Sequence, residues 1–111
     1  AYEGKTDIAL GTLNAIATSR NDGIGAYAQY LHGEILLDTD RKAEAEKALL
    51  RVVYVFADET QWAAKAALLL GKQYEAKGDT GEAKKMYKRV IDQYAGTGEA
   101  MEAQRLLARI Q

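Results

Sequence analysis

Displaced so that Gly33 falls on Gly71, the sequence comes into register with itself. Glu44-Ala45 lands on Glu82-Ala83, Leu49 on Tyr87, and Arg51-Val52-Val53 on Arg89-Val90-Ile91. Upstream, Ala28 lands on Ala66, Leu31 on Leu69 and Leu36 on Tyr74. A third partial copy opens near the C-terminus, where Leu106-Leu107 matches Leu68-Leu69. A longer shift, bringing Gly4 onto Gly78, places Ala9, Leu13 and Ile16 on Ala83, Tyr87 and Val90, so the N-terminus reads as the second helix of a preceding unit. Self-similarity at such a period is the mark of a helical repeat array, in which each unit buries its apolar face only by stacking on its neighbours.

Within each copy the apolar spacing is helical. Leu70 and Tyr74, then Ala83 and Tyr87, stand four apart, as residues on one helix face do. The chain has no Pro and no Cys among 111 residues. The first fact suits long helices, and the second removes disulfides and thiolate chemistry. The spacing predicts six helices near 4–19, 24–38, 41–57, 60–77, 80–95 and 98–110, separated by short turn sequences. Asn21-Asp22-Gly23, Asp38-Thr39-Asp40, Asp58-Glu59-Thr60, Gly78-Asp79-Thr80 and Gly96-Thr97-Gly98 supply these breaks. Asp79 with Glu82 resembles a capping box. Linkers this short predict antiparallel neighbours and a single all-α domain. Gly71 stands inside a helix, where Gly costs about 1 kcal/mol relative to Ala. A close helix crossing is the packing reason that would justify it, with Gly71 and Ala83 at the crossing.

Ala67, Leu70-Gly71, Tyr74, Gly78, Ala83, Tyr87 and Val90 follow, in order and spacing, the pattern of the tetratricopeptide repeat (TPR) family, which they resemble. Gly33, Leu36, Ala45, Leu49 and Val52 carry the same pattern in the middle copy. The chain departs from the family at Ala67, where the family has Trp, at Ala95, where it has Pro, and at His32, where it has Leu. The resemblance implies an α/α superhelix, a TPR-type solenoid. A half unit would span about 1–20, full units 24–57 and 61–95, and a second half unit 98–111. The linker Ala57-Asp58-Glu59-Thr60-Gln61 is similar in style to those of TPR segments in bacterial cell-envelope proteins.

In this family the first helix of each unit lines a concave groove. Carried over residue by residue, the lining is Tyr27, Tyr30, Glu34 and Leu37, then Lys65, Leu68, Lys72 and Glu75. The last half unit adds Ala103, Leu106 and Ile110. Tyr30 and Leu68 occupy equivalent places and are the expected anchors, while Tyr27 has a competing reading as packing between helices. The Lys/Asn clamp with which some TPR domains grip acidic tails is absent, since Tyr30 and Glu34 stand in its places. The implied function is a non-enzymatic protein-binding scaffold that takes a peptide or helix in the groove. Self-association and a spacer role within a longer array are the alternatives.

Other motifs resolve to structural roles. Gly4-Lys5-Thr6 lacks the upstream Gly of a phosphate loop and reads as a turn. His32, the single His, has no Cys or second His to share a metal or a catalytic role, and its repeat position is a core position. Asp38-Thr39-Asp40 lacks the remaining ligands of a calcium loop. Lys84, Lys85, Lys88 and Arg89 surround Tyr87, but Tyr87 belongs to the core pattern and the charges to a solvated face. A net charge of −1 gives no global attraction to nucleic acid. No stretch approaches the roughly 18 apolar residues of a membrane span. No cofactor is expected.

Overall fold

A computed structural model describes the backbone of residues 2–19 and 22–110, and the side chains of residues 6–18 and 22–110. Among the described residues there are six α-helices and no strand: α1 (Tyr2–Ser19), α2 (Gly23–Asp38), α3 (Lys42–Val55), α4 (Thr60–Ala76), α5 (Thr80–Gln93) and α6 (Gly98–Ile110). These match the expected helices to within two residues at each end. Gly4 and Lys5 lie inside the first turns of α1 rather than in a turn before it, and the Lys5 side chain falls outside the described residues. A helical backbone there leaves no loop to wrap a phosphate. Asn21, part of the first expected turn, also lies outside the described residues.

The helix ends follow local chemistry. Asp22 caps α2, its side chain accepting from the Gly25 amide at 3.1 Å. At the other end of α2, Asp40 takes φ 59°, its amide donates to the Leu37 carbonyl, and the Arg41 amide donates to the Leu36 carbonyl at 2.8 Å. The end of α4 shows the same pattern one repeat later. Gly78 has φ 83°, its amide donates to the Glu75 carbonyl, and the Asp79 amide donates to the Tyr74 carbonyl at 2.8 Å. Both are left-handed helix stops that satisfy the last carbonyls. The expected capping box at Asp79 does not form: that side chain makes no cap hydrogen bond, and Glu82 pairs instead with Lys85 at 3.1 Å. Thr97 does the capping for α6, its hydroxyl accepting from the Ala100 amide at 3.1 Å.

The chain divides into two compact units, residues 1–63 and 64–111. In the first, α2 packs against both α1 and α3. Its core includes Leu10, Leu36, Ala45 and Ala48, with Ile35 and Leu37 packed against them. Gly33 faces Leu49, and a Cβ added at Gly33 would stand 2.6 Å from Leu49 Cδ2. In the second unit, the α4 segment beyond Ala63 packs with α5, and α5 with α6. Gly71 lies against the ring of Tyr87, where an added Cβ would stand 2.7 Å from Cδ1. The glycine in mid-helix is thus required by the ring of the following helix. Ala83, expected at the same crossing, is fully buried one turn away from Tyr87.

Candidate aromatic platform and charge ladder

The groove positions of the first unit include an aromatic group. On α2, Tyr27, Tyr30 and Glu34 stand at spacings of three and four, one helical stripe. At the start of α4, Trp62 reaches this stripe. Its ring lies 4.6 Å from that of Tyr27, tilted 35°, and 5.6 Å from that of Tyr30, tilted 42°. These separations lie in the range of favourable offset aromatic pairs. The trio is only partly covered: Tyr27 keeps 45% of its surface, and Tyr30 and Trp62 are half-buried. Tyr27 therefore packs between helices and is exposed as well. Glu34, one turn beyond Tyr30, is half-buried and makes no ion pair or hydrogen bond among the described residues. Leu37 is drawn instead into the packing around Leu36.

The groove positions of the second unit are occupied differently. Lys65 pairs with Glu99 at 3.3 Å, Lys72 with Glu102 at 3.0 Å, and Glu75 with Arg109. Every charged group expected to line the groove on this segment is thus tied to α6. Leu68 is 7% exposed and Leu106 5%, Ala103 is fully buried, and Ile110 is half-buried. Leu68 belongs with the buried residues, so its removal would first cost packing. Glu75 has a further role, since it accepts a hydrogen bond from the Tyr87 hydroxyl at 2.8 Å. Burial pushes the Tyr87 phenol well above its ordinary value, and the bond to Glu75 adds to the shift.

Sequence reasoning misses two features for which signals exist. Trp62 lies three positions before Lys65, so extending the α4 stripe by one turn reaches it. The ladder partners Lys65–Glu99 and Glu75–Arg109 are both separated by 34 residues, with opposite charge in each pair. The single His32 is half-buried with its Nδ1 unpartnered among the described residues. Burial lowers its pKa, and the neighbouring Arg41 lowers it further while Glu44 opposes the shift. That Arg41 bridges helices, reaching Asp7 on α1 at 3.3 Å and Glu44 on α3 at 2.6 Å. Asp38-Thr39-Asp40 forms the end of α2, with the Thr39 hydroxyl donating to the Ile35 carbonyl at 2.8 Å.

The two units also differ in charge. Residues 1–63 carry six basic and ten acidic side chains, a balance of −4, whereas residues 64–111 carry nine and six, a balance of +3. Residues 65–97, from α4 through α5 to the following turn, match the family model of the tetratricopeptide repeat. No curated protein and no solved structure gives a significant match to the chain.

Proposed function

Because this chain carries a tetratricopeptide repeat, of a family whose repeats serve as protein–protein interaction modules, we propose that it is a non-enzymatic module that holds a segment of another protein. The contact is made on the aromatic stripe of the first unit. The observation that carries this reading is the half-exposed group of Tyr27, Tyr30 and Trp62. Large rings with few rotors and partial exposure are the side chains that anchor interfaces, because they bring apolar area at low cost in conformational entropy. The charged groove positions of the second unit support the same choice by contrast, since their ion pairs with α6 leave them less free to meet a partner.

Alanine variants of the three rings, measured for melting temperature and for binding to peptides selected on the native chain, test this. Trp62→Ala is expected to lower affinity by on the order of thirtyfold, the loss of about 2 kcal/mol at an interface anchor. Lys72→Ala is expected to leave affinity within about twofold, because it removes one exposed ion pair. Equal affinity of the native and Trp62→Ala chains would remove the platform from the binding site.

A further inference from the structure

Resting on that reading, we infer that the segment held by the first unit is cationic as well as apolar: an amphipathic helix or extended peptide in which a Lys or Arg follows an aromatic or large aliphatic residue. Three observations point to this chemistry. Glu34 lies on the same stripe as Tyr27 and Tyr30, half-buried, with its carboxylate unpaired among the described residues. A partly desolvated carboxylate gains more from an incoming cation than a fully solvated one does. The unit that carries the stripe has a balance of −4, so its field favours approach of a basic segment and opposes an acidic one. The platform itself is composed of Trp and Tyr, whose ring faces attract ammonium and guanidinium groups.

The spacing sets the register of the partner. Seven helical steps separate Tyr27 from Glu34, about 10 Å along α2. A partner helix would span that distance with its apolar anchor and its cation seven positions apart. An extended peptide, rising about 3.3 Å per residue, would need them three apart. The charge ladder of the second unit marks the contrast. There Lys65 and Lys72 meet Glu99 and Glu102, whereas the equivalent demand of Glu34 is left for a partner.

A random-peptide display library selected against the native chain tests the inference, with Glu34→Lys and Trp62→Ala chains selected in parallel. The native chain is expected to enrich sequences that pair Lys or Arg with an aromatic or aliphatic residue at one of the two spacings. Affinity of those peptides should fall by on the order of tenfold for Glu34→Lys, where a weak attraction becomes a weak repulsion, and it should weaken with added salt. Enrichment of neutral or acidic sequences that still depends on Trp62 would overturn the cationic partner and leave the aromatic platform standing. Enrichment that ignores Trp62→Ala, or no enrichment at all, would overturn both. Sedimentation of the native chain completes the test: a dimer that Trp62→Ala converts to monomer would assign the platform to a second copy of this chain and refute the basic peptide.

Discussion

Gly33 in the first unit and Gly71 in the second occupy the same place in the repeat, yet they admit different side chains. Leu49 fills the space above Gly33, and Tyr87 the space above Gly71. The tyrosine brings a hydroxyl into the packing, and the repeat supplies an acceptor at the matched position: Glu75, where the first unit has Leu37. Two positions therefore differ together, Leu37 with Leu49 in one unit and Glu75 with Tyr87 in the other. The same register separates further pairs. Asp40 holds the left-handed helix stop that Gly78 holds later, His32 stands where Leu70 does, and buried Gln29 where Ala67 does. The lesson is that the repeat frame is specified by the small residue and the helix stop, while the filling around them is open to exchange in matched sets. The first unit places the more polar side chain at two of these positions, His32 and Gln29, and it is also the unit whose aromatic stripe stays open.

The largest expected effect separates the two glycines. Gly71→Ala drives a methyl into the rigid Tyr87 ring and is expected to destabilise by about 3 kcal/mol, even after the gain in helix propensity. Gly33→Ala meets Cδ2 and Cγ of the buried Leu49, a side chain that shifts more readily than a ring, and is expected to cost about 2 kcal/mol. Urea midpoints of the two variants check this, and equal losses would break the distinction between the two fillings. Next comes the hydroxyl: Tyr87→Phe is expected to cost about 1 kcal/mol, and less than that in a chain that already carries Glu75→Ala, which removes the acceptor. The phenol is neutral in the folded chain and its pKa is raised, so its contribution holds below the usual tyrosine value of 10.0 and declines as pH rises beyond it. A cycle without coupling would mean that the hydrogen bond has no part in the exchange.

Two smaller effects run in the stabilising direction. Gln29 is 2% exposed with Oε1 unpartnered among the described residues, and Gln29→Met is expected to raise stability by about 1 kcal/mol. Asp40→Gly relieves a left-handed residue and should add about 0.5 kcal/mol. His32 links the comparison to pH. Its folded pKa lies below the ordinary 6.5, so its neutral form is the stable one, and the stability it contributes is present above pH 6.5 and lost as pH falls through the folded value. His32→Leu, copying Leu70, should flatten that acid slope in thermal melts between neutral and mildly acid pH. A slope unchanged by the substitution would take His32 out of the pH dependence.

The helices and the glycine frame are legible because both are written in period and spacing: the step from Gly33 to Gly71 between copies, and the helical step from Leu70 to Tyr74 within one. The helix stop at Gly78 is legible from its turn residues, whereas Asp38-Thr39-Asp40 reads as a turn with capping Asp residues, and the left-handed stop at Asp40 and the N-cap at Arg41 do not show in it. What stays hidden depends on which neighbour a side chain meets. Nothing in the α2 stripe alone distinguishes Tyr30, which meets Trp62, from Leu37, which turns into the core. Lys65, Lys72 and Glu75 read as an open lining until α6 supplies their partners, because a charge on a helix face is free or paired according to a helix far along the chain. Glu82 likewise takes Lys85 over a capping bond to its own helix start.

Trp62 is the single tryptophan of the chain, so its emission reports on the platform alone. The direct measurement is a titration of the native chain with a selected basic peptide that contains no tryptophan, following that emission and its quenching by iodide and by caesium ions. With no peptide, the ratio of caesium to iodide quenching should exceed that of a free tryptophan amide, in line with the balance of −4 on residues 1–63. Bound peptide should shift the emission to shorter wavelength and protect it from both ions, with a dissociation constant equal to that from calorimetry. Peptide that binds by calorimetry while the emission and quenching of Trp62 stay unchanged would contradict the account, because the partner would then sit elsewhere.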